Sequence, residues 1–151
     1  MYKADIKTTF NILEPGLWQL DHSQERYRVP ACGVIVIDLY VDDELLIQDP
    51  EGGQVAEVVP FTPEGKGDPT LLGIKKSNPA DGMRSILSGQ SESARRLRQA
   101  MEKRNLDLAT AEAAILFSAD SLAREEFSFR VSSNTTCAIA APGYMMNVDG
   151  E

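Results

Sequence analysis

The sequence predicts an α+β fold, mainly β: a small barrel or sandwich of short, mostly antiparallel strands, with one or two helices inserted around residues 82–104. Three observations carry this. Over residues 29–61, three β-type runs are separated by tight-turn chemistry, the last turn being Asp49-Pro50-Glu51-Gly52-Gly53-Gln54. Over 91–104, apolar residues recur at helical spacing. Beyond 112, strand patterning returns. Successive short strands with Gly and Pro turns suit a barrel or sandwich.

Taken in order, residues 5–20 mix strand and turn character. Ile6, Thr8, Phe10 and Ile12 alternate with Lys7, Thr9 and Asn11, Glu14-Pro15-Gly16 breaks the run, and Trp18 and Leu20 resume it. A polar loop over 21–25 holds the one histidine, His22, and Arg26-Tyr27-Arg28-Val29 reads as a short strand stopped by Pro30. Residues 33–40 are β-branched and aliphatic, as in a strand buried on both faces, with Asp38 interrupting the far end. Asp42-Asp43-Glu44 is expected as a hairpin connection into a return strand at Leu45-Leu46-Ile47. The Asp49 turn leads into a strand over 54–61, where Pro60 and Pro63 are expected to end regular pairing.

Residues 62–80 form a Pro- and Gly-rich connection over the surface, anchored by Leu71, Leu72 and Ile74. Asp81 or Gly82 is placed to cap a short helix through Leu87, and Ser91 or Ser93 a longer one through about Arg104. In the second, Ala94, Leu97 and Met101 make a narrow apolar stripe. Arg95, Arg96, Arg98, Lys103 and Arg104 take the other faces, a solvated basic surface or a receptor for an acidic partner. Residues 112–118 are expected as a helical turn feeding a strand through Ile115-Leu116-Phe117. Phe127 and Phe129 alternate with polar residues in a half-buried strand over 126–131, and 135–141 reads as a buried final strand before Pro142-Gly143.

At 151 residues the chain suits one domain, 1–151, with a single core. No apolar run approaches the roughly 20 residues that span a bilayer, and the N-terminus lacks a secretory signature. Cys32 and Cys137 are isolated in apolar contexts, so they read as free buried thiols suited to a reducing compartment, and the expected location is the cytoplasm. Net charge is −8 and uneven: residues 1–70 carry five basic and thirteen acidic groups, residues 71–151 ten of each. That balance argues against nucleic acid, which needs a basic surface, and suits solubility, a cationic ligand or a basic protein partner.

Site chemistry is sparse. His22, Cys32 and Cys137 are too few and too scattered for a metal site, so none is expected. No Gly-x-Ser-x-Gly elbow and no phosphate loop is present. The carboxylates remain. Asp38 and Glu57 interrupt apolar runs, where burial would raise a carboxyl pKa, and Asp49 opens the acidic turn. Each could bind a cation or act as an acid or base; each could equally end a strand or face solvent.

The segment Val29-Pro30-Ala31 … Asp38 … Leu46-Ile47-Gln48-Asp49-Pro50-Glu51-Gly52-Gly53-Gln54-Val55-Ala56-Glu57-Val58 resembles the urea-carboxylase-associated family, whose pattern reads I-P-A-…-G-…-L-x-V-x-D-x-E-G-x-Q-V-x-D-F. Residues 95–108, Leu116-Phe117 with Phe127-Ser128-Phe129, and Ala138-Ile139-Ala140-Ala141-Pro142 resemble its later parts, so most of the chain is covered. Within the motif, Gln54 and Glu57 are the binding candidates. The resemblance implies zinc enzymes acting on small nitrogen compounds, among them carboxyguanidine deiminase subunits and the metal domain of trimethylamine-oxide demethylase, an aldolase fused to a folate-binding aminomethyltransferase-like domain. Cys and His around the central helix and a late Cys before Pro hold that zinc. Here residues 81–104 contain neither, Ala141 stands in the late Cys position, and Glu57 replaces the motif's Asp.

The resemblance therefore implies a degenerate copy, most like the N-terminal domain of such fusion proteins. It would be a non-catalytic accessory domain of a demethylase acting on small methylated amines, with zinc and tetrahydrofolate held only by partner domains. Its partner would be a protein domain, a subunit or a second copy. Two alternatives stay open: a small-cation- or amine-binding protein or metal-free enzyme using Glu57, Asp38 and Asp49, and a subunit of a heteromeric carboxyguanidine deiminase.

Overall fold

A computed structural model describes residues 24–118 and 120–143. Within them the order is β1 (Gly33–Leu39), β2 (Glu44–Asp49), β3 (Ala56–Phe61), a 3-10 turn (Pro69–Leu72), β4 (Asn78–Pro79), α1 (Asp81–Leu87), α2 (Glu92–Lys103), β5 (Glu112–Leu116), β6 (Glu125–Arg130) and β7 (Thr135–Ala141). Five strands form one antiparallel sheet in the order β1-β7-β3-β5-β4, while β2 and β6 pair as a separate antiparallel ribbon. The predicted 6–12 strand, the 18–20 alternation and His22 lie outside the described residues.

Strand alternation divides the sheet's side chains between two cores. Val59, Phe61, Ala113, Ala138 and Ala140 pack with Met83 and Leu87 of α1 and Met101 of α2. On the other face, Ile37, Leu39, Val58, Leu116 and Ile139 pack with Leu45 of the ribbon and with Val131. The layers are thus helices, sheet and ribbon. Among the described residues the sheets do not close, so of the two predicted architectures they form the sandwich. Phe61, Leu39 and Leu45 are almost fully buried, each contributing about 1.5–3 kcal/mol of apolar burial. Among the described residues, no helix is long and apolar enough to cross a membrane.

Several local expectations are corrected. Residues 42–44 are not a hairpin: β1 pairs with β7 and β2 with β6, so the connection passes from sheet to ribbon. The cause is packing, since Leu39 and Leu45 fill one core from opposite layers. β1 is not buried on both faces either. It is the edge among the described strands, Val34 and Val36 are half-buried, and Asp38 is exposed. Residues 26–29 join no ladder, and Tyr27, Arg28 and Val29 line a cavity instead. There is no helical turn at 112; β5 begins there, because Ala113 and Ala114 are small enough to be fully covered on opposite faces of the sheet. Alanine favours helices by itself, so the sequence signal misleads at this point. Cys137 is buried as expected, but Cys32 is exposed.

Pro60 does not end pairing. It stands in β3 opposite Cys137, and its carbonyl accepts from the Asp68 amide at 2.8 Å. A residue's N–H and C=O leave a strand on the same side, so the missing N–H faces away from β7 and the ladder loses nothing.

Both helices form where predicted. Ser91 caps α2, its hydroxyl accepting from the Ala94 amide at 3.1 Å, a device worth about 1 kcal/mol. The basic residues of α2 are mostly engaged within the chain. Arg95 and Arg96 pair with Glu92, and Arg104 holds Asp38.

Candidate functional site

The ribbon covers the sheet incompletely. Between them, at the end where β1 begins and β7 finishes, lies a cavity of about 530 Å³, a size typical of small-molecule sites. Its walls are Ile35, Ile37, Ile47, Phe117, Ile139 and Ala141, with Tyr27, Glu51 and Gln54 among its polar lining. Phe117 enters it from left-handed backbone, φ 64°, a conformation uncommon for a bulky residue. Its ring meets Phe127 edge-on at 5.2 Å.

The Asp49 turn forms one border of this cavity. Asp49 is 3% exposed, and its carboxylate closes the loop, Oδ1 accepting from the Gly52 amide at 3.0 Å and Oδ2 from the Gln54 amide at 2.9 Å. Gly52 has φ 84°, and a Cβ there would stand 2.7 Å from the Ser121 carbonyl. Glycine is required for both reasons. The most specific motif of the sequence is therefore a rigid loop docked on the β5–β6 connection, with Gln54 at its exit.

Glu57 lies elsewhere. From β3 it points into the helix layer, 1% exposed. Oε2 accepts from the Gly82 amide and Oε1 from the Met83 amide, both at 2.8 Å. It thereby caps α1, whose own cap residue Ala80 supplies no side-chain bond and whose Asp81 is already helical. Burial pushes the Glu57 carboxyl above its usual range; the amides of Met83 and Gly82 pull it back, Asp81 raises it further, and Arg84 opposes. The other end of α1 meets a cation. The Arg98 guanidinium donates to the Leu87 carbonyl and, at 2.8 Å, to that of Gly89. A seven-residue helix is unstable alone. This one is held by an anion at its N-terminus and a cation at its C-terminus.

Asp38 is exposed and accepts from Arg104 at 2.6 and 2.8 Å and from the Thr136 hydroxyl at 3.0 Å. The three candidate carboxylates are not brought together. Asp49 borders the cavity, whereas Glu57 and Asp38 oppose Ala140 and Thr136, four residues apart along β7, or about 13 Å. Of the binding candidates, Gln54 lines the cavity and Glu57 does not. Reasoning from sequence missed the cavity wall itself, because Ile35, Ile47 and Phe117 carry only an apolar signal that core residues share.

Among the described residues, no three His, Cys, Asp or Glu side chains are grouped to hold a metal ion. Burial pushes the Cys137 thiol up to about 12, which leaves it protonated and inert near neutrality. Cys32 donates to the Pro142 carbonyl at 3.2 Å.

The chain is 34% identical over 140 residues, 93% of its length, to a Ruegeria pomeroyi protein named trimethylamine-oxide aldolase. The chain spans 18% of that relative's length. No family model matches the chain, and no solved structure does.

Proposed function

We propose that this chain is a non-catalytic accessory module of a trimethylamine-oxide-aldolase-type protein, serving through structure and docking. Similarity to the Ruegeria pomeroyi aldolase supports the link to trimethylamine-oxide demethylation. The observation that carries the accessory role is the cavity wall. The family resemblance places a zinc-binding cysteine at Ala141, and Ala141 lines the cavity, whose described lining contains neither Cys nor His. A lining of apolar side chains, with Asp49 engaged by backbone amides and Glu51 the one other carboxylate, lacks the set of nitrogen and sulfur ligands that zinc takes.

The carboxylates support the same reading. Glu57 and Asp49 each spend both oxygens on backbone amides, and Asp38 is paired with Arg104. A general acid or base needs a free oxygen within reach of substrate. The test is metal analysis of the purified chain, with formaldehyde release from trimethylamine N-oxide measured alongside. The expected result is no retained zinc and no release by this chain alone. Stoichiometric zinc surviving dialysis, or turnover, would overturn the proposal.

A further inference from the structure

Among the described residues, the longest strand with an open edge is β1. Pro60 turns its carbonyl away from β7, so Cys137, opposite it, turns its own amide and carbonyl toward β1, where it meets Ile37. Alternation then points the main-chain groups of Ile35, Ile37 and Leu39 at β7 and those of Val34, Val36 and Asp38 outward. No described residue pairs with those three outward amides and carbonyls. An edge of this kind is normally guarded by a charge, a proline or a bulge. Here the single charge is Asp38, which Arg104 already pairs, and the residues before it read Gly-Val-Ile-Val-Ile.

Two hollows flank this edge. On the ribbon side, Ile35 and Ile37 wall the cavity of about 530 Å³. On the helix side, a groove of about 1110 Å³ runs past Gly33 and Val34, and Ser85, Ser91, Glu92 and Ser93 are among its lining. A strand laid along β1 would lie between the two, and would suit them with one apolar face and one polar face. The chain carries a run with that pattern. Ile6, Thr8, Phe10 and Ile12 alternate with Lys7, Thr9 and Asn11, a run as long as the seven residues of β1. It precedes the described residues, and residues 27–31, through which the chain enters β1, line the cavity. Residues 13–32 tether the run to β1, so it meets that edge at an effective concentration on the order of millimolar, an advantage that no separate chain shares.

We propose that residues 6–12 of this chain add to β1 as a further, antiparallel strand of the sheet. Antiparallel order returns the chain to the Gly33 end, where residues 27–31 enter. Thr9 lies opposite Val36, Lys7 opposite Asp38 and Asn11 opposite Val34, so each outward residue of β1 exchanges both its main-chain hydrogen bonds. Directly opposed residues share a face. Phe10, opposite Ile35, therefore enters the cavity, and Thr9 and Asn11 face the polar groove. The chain thus seals its own apolar edge and narrows the cavity beside it. The inference goes beyond the accessory reading and does not depend on it.

Amide hydrogen exchange of the full chain, read residue by residue by NMR at several protein concentrations, tests it. In wild type the amides of Val34, Val36 and Asp38 are expected to be protected, at rates independent of concentration. Thr9→Pro removes the central donor of the added strand, and Phe10→Ser removes its apolar anchor. In each variant those three amides should exchange about tenfold faster or more, while the amides of Ile35 and Ile37, which face β7, stay protected. Thr9→Ala keeps the donor and should leave all of them protected. Fast exchange at Val34, Val36 and Asp38 in wild type would overturn the proposal. So would protection unmoved by both variants, or protection that grows with concentration, which would assign the edge to a second copy.

Discussion

Glu57 and Gly82, twenty-five residues apart, form one joint. The carboxylate accepts the glycine amide at 2.8 Å, and Gly82 leaves no room for anything larger between the helix and the sheet. A Cβ at that position would lie 2.6 Å from Glu57 Oε2 and 2.5 Å from Pro142 Cγ. Gly82→Ala is therefore expected to destabilise the chain by about 1–3 kcal/mol through overpacking. Urea unfolding measures it, and an unchanged midpoint would show that the joint has slack.

Glu57 also fixes the sign of a pH dependence. Its folded pKa is raised above the ordinary 4.5, so the folded chain holds that proton more tightly than the unfolded chain does. The stability it contributes is complete below the ordinary value and is lost as pH rises through the raised one. Unfolding free energies collected at increasing pH should show wild type losing ground to Glu57→Gln, then a plateau once the carboxyl is ionised in both states. A difference that moves the opposite way would mean that the two amides outweigh burial.

Arg98 and Arg104 lie six positions apart and should behave differently. Arg98→Ala exposes the carbonyls of Leu87 and Gly89 at the end of α1, and the expected loss is about 1.5–3 kcal/mol for charged hydrogen bonds. Arg104→Ala removes a pair in which both side chains are more than two-fifths exposed, and the expected loss is below about 1 kcal/mol and smaller still in salt. Thermal unfolding of the two variants at low and high ionic strength separates them.

Asp49→Ala leaves the amides of Gly52 and Gln54 without their acceptors. The expected cost is about 1–3 kcal/mol, with faster hydrogen exchange over 50–54 and along the cavity border. Asp49→Asn keeps one acceptor oxygen and should fall between. Equal exchange in all three proteins would mean that the loop is held from the β5–β6 side alone.

The thiols should react unequally. Cys32 is exposed and Cys137 is buried with its pKa pushed up to about 12. Of the chain's two cysteines, one is expected to be alkylated in the native protein and both in denaturant. Prompt labelling of Cys137 under native conditions would show that β7 opens locally.

The sequence made the strands and helices legible because their signals are local. The β-branched and aliphatic run over 33–40, the buried run over 135–141, Ser91 before α2, and the turn chemistry at 49–53 each depend on neighbours in the chain. It did not make the pairing legible. Whether 42–44 returns β1 to a neighbour or passes to another layer depends on where Leu39 and Leu45 find a common core, which no window around residue 43 contains. The candidate site failed in the same way. Asp49 and Glu57 stand out as charges among apolar residues, but their partners are backbone amides, and amides have no sequence signature.

The place of β7 has a consequence for how the chain acquires its shape. β7 is paired on one side by β1 and on the other by β3, and Ile35 meets Ile139 about a hundred residues downstream in the chain. Until β7 exists, β1 has no partner among the described strands, while β3 can pair only with β5, through Ala56–Val58. Synthesis thus delivers β1 and β3 well before the strand that lies between them. The long separation between β1 (Gly33–Leu39) and its partner gives this sheet a high contact order, the property that slows folding.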